Sequence, residues 1–277
     1  EPDPDETQLK AINAGAGPHR VRASPGTGKT RTLIGRVKKL ILDDHVEPKS
    51  ILVLTYSNLA AQDLAMRLHA ALGEASIAVW SGTFHAYGLE LLRKFYIEAG
   101  FKSEPRLIDR AGTLSLLEDL LPQLNLKHYF DLIDPSVPLR SIAALISCAK
   151  DEIASPERYA ELAKEMLASN IEAEQASGAN AMEVAAAYKC YEEALRASDL
   201  VDFGDLIARP VELLRENPSV RDSVRSLRTH ILVDEYQDMN RASAVLLQHL
   251  VTPGHGPWVV GDVRQSIYRF RGASPVN

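Results

Sequence analysis

Ala23-Ser24-Pro25-Gly26-Thr27-Gly28-Lys29-Thr30 stands between a short strand-like run and a long helical one, and that placement decides how the chain is read. Before it, His19-Arg20-Val21-Arg22 predicts a strand. After it, Lys29 to Leu42 predicts a helix with Leu33, Ile34, Val37, Leu40 and Ile41 on one face. A glycine-rich turn joining a strand to a helix surrounds phosphate oxygens with backbone N–H groups and the positive end of the helix. Pro25, Gly26, Thr27 and Gly28 form the loop, and its glycines let the backbone approach the phosphates. Lys29 brings a cation to the terminal phosphates, and the Thr30 hydroxyl can ligate Mg²⁺. Ala23 occupies the first position of the strict pattern, where Gly is usual, but the Gly-Thr-Gly-Lys-Thr core is intact.

A phosphate cradle of this kind needs a carboxylate element to hold the metal and position a water, and it should follow an apolar strand. Ile231-Leu232-Val233-Asp234-Glu235 meets that need. Asp234 at the strand tip is the candidate metal ligand. Glu235 is the candidate for orienting or deprotonating the attacking water.

Working outward, Ser50 to Thr55 and Ile77 to Trp80 predict further strands, each followed by a helical pattern, at Ala60 to Leu72 and at about Thr83 to Glu98. Strands alternating with helices are the signature of a parallel sheet covered by helices. From about Asp109 to Ser198 strand signals stop. Leu-, Ala- and Glu-rich helical patterns replace them, interrupted at Pro122, Pro135, Pro138 and Pro156. Within this region Ile171 to Ala187 is expected to be a mobile loop leading into a helix. The α/β pattern resumes with a helix near Asp205 to Glu216, the Ile231-Leu232-Val233 strand, a helix from about Arg241 to Leu250, and the Trp258-Val259-Val260 strand. The expected fold is α/β, a P-loop parallel sheet with an inserted all-helical subdomain. The expected domains are 1–108 with 200–277, and the insert 109–199.

Composition narrows the function classes. The formal net charge of −6 argues against a chain that is basic throughout, as nucleic-acid binders often are. The acidity is local, however. Residues 110–199 hold 15 acidic against 8 basic residues, and the rest is nearly balanced, with 22 acidic and 23 basic. No apolar run reaches the roughly 18 residues of a membrane span, and Glu1 to Glu6 lack the features of a signal peptide. Two cysteines, Cys148 and Cys190, without metal-ligand spacing, suit a reducing, cytoplasmic setting with no membrane partner.

Asp234-Glu235-Tyr236-Gln237-Asp238 and Val260-Gly261-Asp262-Val263-Arg264-Gln265-Ser266-Ile267-Tyr268-Arg269-Phe270-Arg271-Gly272-Ala273 together resemble motifs of the UvrD/Rep/PcrA group of superfamily 1 DNA helicases, with AddA/RecB-type helicase–nuclease relatives. The resemblance runs from about Gln8 to the last residue and implies a RecA-like ATP-binding domain carrying a helical insert. It also implies ATP as cofactor, with Gln8 recognising adenine, Arg31 packing near the base, and Gln265 sensing the terminal phosphate and reporting its loss to the DNA groove. Single-stranded DNA and junctions of single- and double-stranded DNA are the implied partners, in repair or recombination.

The same resemblance implies DNA contacts at Tyr56 and Asn58, at Thr83 and His85, at Phe203 in Asp202-Phe203-Gly204-Asp205-Leu206, and at Tyr268, Phe270 and Arg271. Aromatic faces grip single strands without sequence preference because every base can stack. Leu59 departs from the family, which commonly has Lys there. Phe270 stands where Trp is more common.

Two other classes compete. A P-loop nucleoside or nucleotide kinase shares the phosphate loop but does not require the Asp234 to Asp238 or Gln265 to Ala273 segments. A non-catalytic nucleotide- or DNA-binding module is opposed by the intact Lys29, Thr30, Asp234 and Glu235. The family places its trans-acting arginines in a second RecA-like domain after the Gln265 segment, which makes the C-terminal helicase domains of the same parent chain an expected partner. By itself the 277-residue chain is expected to be weakly active.

Overall fold

The computed structural model of the chain describes residues 3–24, 26–129 and 136–262. They fall into two compact units, one within Glu1–Gly88 and Val211–Asn277, the other within Leu89–Pro210. The first unit opens with α1 (Glu6–Ile12), β1 (His19–Arg22), α2 (Lys29–Leu42), β2 (Ile51–Thr55), α3 (Asn58–Leu72) and β3 (Trp80–Thr83), after which α4 (Phe84–Lys94) leads into the second. The second unit holds β4 (Arg106–Leu107), α5 (Arg110–Leu120), α6 (Ser136–Asp151), α7 (Pro156–Leu167), α8 (Glu172–Ala197) and β5 (Leu200–Val201). The chain returns through α9 (Asp205–Glu216) to α10 (Pro218–Leu227), β6 (His230–Asp234), α11 (Arg241–Leu250) and β7 (Trp258–Gly261).

The first unit is built on a five-stranded, all-parallel sheet in the order β1-β7-β6-β2-β3. Its inner strands β2 and β6 are short and largely apolar because helices cover them, and β2 is buried at every position. Leu33 and Val37 of α2, Ile51 and Val53 of β2, Leu64 and Leu68 of α3, Leu232 of β6 and Val260 of β7 form one core. Each such side chain, fully buried, contributes roughly 1.5–3 kcal/mol. The register aligns Thr55 with Thr83, Leu54 with Val233, Asp234 with Val260, and Arg22 with Gly261. The carboxyl ends of all five strands therefore share one edge, where open parallel sheets bind their ligands.

Two elements differ from their sequence expectations, and one short pairing was not expected. The third strand is Trp80–Thr83, and Gly73–Ala78 forms a 3₁₀ helix instead. The apolar Ile77-Ala78-Val79 run suggested the earlier start, yet Ile77 is 71% exposed. Trp80 covers Gly82, where an added Cβ would lie 2.7 Å from the indole, and so Ser81-Gly82-Thr83 forms a strand without large apolar residues. The expected loop in Ile171 to Ala187 is helical from Glu172, because α8 packs closely on α7: a Cβ at Gly178 would come within 2.7 Å of Leu167 N. The helical region is also bracketed by a parallel two-residue pairing of β4 with β5.

The second unit's helices share a core of Leu117, Leu139, Ile142, Val184, Tyr188, Tyr191 and Leu195. Pro138 and Pro156 sit in the first turns of α6 and α7, where a missing backbone N–H costs nothing. No helix among the described residues is long and apolar enough to cross a membrane.

Candidate nucleotide site at the carboxyl edge of the sheet

The loop after β1 turns through positive φ at Gly26 (73°) and Gly28 (78°), conformations that glycine adopts without strain. Its start is tied to the sheet, with Ala23 N donating to Gly261 O at 3.2 Å, and Thr27 Oγ1 donates to Ser24 O at 2.7 Å. Gly28 is the N-cap of α2, so the helix begins at Lys29 with its positive end toward the loop.

Across the edge, β6 delivers the two carboxylates. Lys29 Nζ lies 2.7 Å from Glu235 Oε2, and Thr30 Oγ1 lies 3.5 Å from Asp234 Oδ2. Two residue pairs separated by more than 200 positions in sequence thus meet. Asp234 is 5% exposed, and its carboxyl is pushed up to about 6 by burial, reinforced by the Glu235 charge and opposed by the Glu235 N–H, Lys29 and Thr30. A buried carboxylate beside a second carboxylate and a hydroxyl is a hard-oxygen donor set that a small divalent cation would suit. The residues present fit Mg²⁺ on that ground.

Glu235 has a left-handed backbone (φ 51°, ψ 45°), uncommon for a non-glycine residue and a conformation that concentrates at functional sites. Its side chain is held from a second direction. Gln237 Nε2 donates to Glu235 Oε2 at 2.7 Å, and Gln237 Oε1 accepts from Asp262 N at 2.9 Å. Gln237 therefore bridges the candidate base to the end of β7. Gln237 lies within the Asp234-Glu235-Tyr236-Gln237-Asp238 motif, yet the sequence alone assigns it no role. Its only signal was its place two residues after Glu235.

On the other side of the loop, α1 is anchored by Trp258 Nε1 donating to Ala11 O at 3.1 Å and by the buried Arg36, which donates to Ile12 O at 2.8 Å. That anchoring carries Gln8 to the phosphate loop. Gln8 Nε2 donates to Thr27 O at 2.8 Å, while Gln8 Oε1 accepts from Arg31 Nη2 at 2.7 Å. Gln8, Thr27, Gly28, Lys29, Thr30, Arg31, Asp234 and Glu235 are thus brought into one constellation with Gly26. Pro25 lies outside the described residues.

The remaining candidates divide. Tyr56 is half-buried just past β2, and Asn58 is exposed in the first turn of α3, capped by Ser57. Thr83 ends β3, is 4% exposed, and its hydroxyl accepts from Ala86 N at 3.1 Å, capping α4. Half-buried His85 follows in that first turn, its imidazole pushed down to about 4 by burial. These four occupy the carboxyl ends of β2 and β3, on the edge that bears the nucleotide candidates at β1 and β6. Phe203 belongs to the second unit and is 62% exposed. Gln265, Tyr268, Phe270 and Arg271 lie outside the described residues. Among the described residues no group of three or more His, Cys, Asp or Glu side chains could hold a metal.

A family model described as the UvrD/REP helicase N-terminal domain matches residues 5–277. The chain belongs to the UvrD/REP helicase family. Its α/β sheet with the phosphate loop is accordingly of the RecA-like kind. It is similar to the ATP-dependent DNA helicase PcrA of Bacillus subtilis, 33% identical over 270 residues, which cover 98% of this chain and 34% of that relative. The protein of the same name from Leuconostoc citreum is 32% identical over 271 residues, with the same two shares. That from Staphylococcus epidermidis is 31% identical over 270 residues. The chain spans about a third of the length of these curated relatives (34%).

Proposed function

We propose that the chain is the ATP-binding part of an ATP-dependent DNA helicase or translocase acting on single-stranded DNA and its junctions with duplex, in repair or recombination. The observation that carries this reading is the convergence of Lys29 with Glu235 and of Thr30 with Asp234 across the carboxyl edge of the sheet. Family membership and relatives named as ATP-dependent DNA helicases support it. The free thiols of Cys148 and Cys190 agree with a reducing, cytoplasmic setting.

In this reading Gln8 and Arg31 flank the adenine. The backbone N–H groups of Gly26 to Lys29 take the phosphates, and the Lys29 ammonium leaves Glu235 for the terminal phosphate. Thr30 and Asp234 would hold Mg²⁺, which when bound neutralises charge on the phosphoryl oxygens. Glu235, released from Lys29 and oriented by Gln237, accepts the proton of the attacking water. Tyr56, Asn58, Thr83, His85 and Phe203 contact the single strand, with Tyr268, Phe270 and Arg271 beside it, and Gln265 senses the terminal phosphate. In phosphoryl transfer of this kind a trans-acting arginine contributes about 10³–10⁵ in rate. The 277-residue chain by itself is a slow ATPase on this account, its partners being the C-terminal helicase domains of the parent chain.

The test is titration of a fluorescent ATP analogue with and without Mg²⁺, on the chain and on Lys29→Ala, followed by phosphate release with and without oligo(dT). Mg²⁺-dependent binding abolished by Lys29→Ala supports the reading. Binding indifferent to both overturns the nucleotide site, and DNA-stimulated turnover at about 10 s⁻¹, a typical enzyme rate, overturns the slow-fragment account.

A further inference from the structure

The second unit encloses a cluster of charge that the nucleotide site does not use. Lys150, in the last turn of α6, is 2% exposed. Its Nζ meets Asp202 Oδ2 at 2.7 Å, Asp205 Oδ1 at 2.8 Å and Glu192 Oε1 at 2.7 Å. Arg209 adds a second cation, ion-paired to Glu192 and 3.5 Å from Asp205 Oδ1. Tyr191 closes one side: its hydroxyl donates to Asp202 Oδ2 at 3.1 Å, and Lys150 Nζ stands 5.3 Å from its ring centroid. Burial pushes the Asp205 carboxyl up, and Lys150 opposes that push. A core could be closed more simply with apolar side chains, since buried ion pairs are weak contributors to stability. What this arrangement does achieve is directional.

Asp202 and Asp205 bracket a four-residue turn, Asp202-Phe203-Gly204-Asp205. Each carboxylate spends one oxygen on the turn's own backbone: Asp205 N donates to Asp202 Oδ1 at 2.9 Å, and Asp202 N donates to Asp205 Oδ2 at 3.1 Å. The other oxygen of each goes to the Lys150 ammonium. The turn also rests on the Lys150 aliphatic stem, because a Cβ added at Gly204 would lie 2.8 Å from Lys150 Cδ and 3.1 Å from its Cβ. One buried lysine therefore fixes both ends of the turn and its floor. The residue at its crest is Phe203, 62% exposed.

We propose that Lys150 is the positioning residue for Phe203, holding the ring outward in one orientation so that a base of single-stranded DNA can stack on it. A stacking platform gains affinity when its orientation is set before binding, because ordering it afterwards costs conformational entropy. The inference rests on the proposed DNA contact of Phe203.

The test uses the 277-residue chain labelled with 4-fluorophenylalanine, the Phe203 ¹⁹F resonance being assigned by its loss in Phe203→Leu. Affinity for oligo(dT) is read by fluorescence anisotropy. Phe203→Ala is expected to weaken binding between about 5- and 150-fold, the range of one stacked base. Lys150→Met is expected to match that loss, to move the Phe203 resonance toward that of the free amino acid, and to leave the resonances of buried Phe84 and Phe101 dispersed. In a Phe203→Ala background Lys150→Met should add nothing, while in a Tyr56→Ala background its effect should add in full. Gly204→Ala retains every charge and presses on the lysine stem, so it should reproduce the resonance shift and the loss, and it decides the matter if Lys150→Met fails to fold. Unchanged Phe203 resonance and affinity in the folded variants, or an undiminished Lys150→Met or Gly204→Ala effect in the Phe203→Ala background, overturns the proposal. If Phe203→Ala binds like the parent chain, the DNA contact itself is wrong, and the fluorine resonances still report whether Lys150 sets the ring.

Discussion

Lys29 Nζ and Glu235 Oε2 are 2.7 Å apart although 206 positions separate them, and Gln237 Nε2 approaches the same carboxylate oxygen at 2.7 Å. The candidate base is thus restrained by the cation that the proposed mechanism transfers to the terminal phosphate. On that proposal ATP and Glu235 would compete for Lys29, and ATP binding would free the carboxylate for proton transfer. Glu235→Gln keeps the volume and the left-handed backbone position while removing the charge. ATP hydrolysis should fall by about 10²–10⁴, with affinity for the fluorescent nucleotide retained or increased. Parallel loss of binding and turnover would contradict the competition.

Gly261 is where β7 passes Gln237. A Cβ there would stand 2.1 Å from Gln237 Oε1 and 2.8 Å from the Tyr236 ring, and Gln237 is only 3% exposed. Gly261→Ala is expected to destabilise the chain by about 1–3 kcal/mol, seen as a lower midpoint in urea, and to abolish hydrolysis by displacing the Gln237 bridge. A variant of parental stability and turnover would show that the bridge yields easily.

Burial holds His85 near a pKa of about 4, below the 6.5 of an unhindered imidazole. The unfolded chain therefore takes up a proton before the folded chain does as pH falls. The contribution to stability is fully present above pH 6.5 and is lost progressively between about 6.5 and 4, by at most about 3 kcal/mol. Urea unfolding across that range should show a steeper decline for the parent chain than for His85→Asn. Equal slopes in the two proteins would place the titration elsewhere.

Tyr56 follows the fully buried β2 and emerges half-buried at the carboxyl edge. If it stacks a base, Tyr56→Ala should weaken oligo(dT) binding by about 1–3 kcal/mol, whereas Tyr56→Phe should retain most of the affinity. Anisotropy titrations at two salt concentrations separate the two contributions. A lost stacking contact lowers affinity equally at both, and a lost ionic one changes the salt slope.

The order of residues along the chain by itself marks out the candidate nucleotide site. A strand, a Gly-Thr-Gly-Lys-Thr turn and a helix make a candidate phosphate cradle from local geometry alone, and an apolar strand ending in Asp234-Glu235 is the carboxylate element such a cradle calls for. The alternation of strands with helices and the helical stretch between them were legible for the same reason, since each rests on a periodicity within a few tens of residues, whereas the strand order β1-β7-β6-β2-β3 came only from the structure. Only the tertiary structure decided the rest. Gln237 became a bridge because β7 ends beside it, Gln8 reached Thr27 because Trp258 and Arg36 anchor α1, and Lys150 became a clamp because α6, α8 and the Phe203 turn converge. Such roles depend on which distant side chains share a low-dielectric interior, where an unpaired charge is costly and a paired one is directional. A one-dimensional pattern carries no record of that pairing, so Lys150 read as one more lysine in an acidic helical stretch until the fold placed three carboxylates around it.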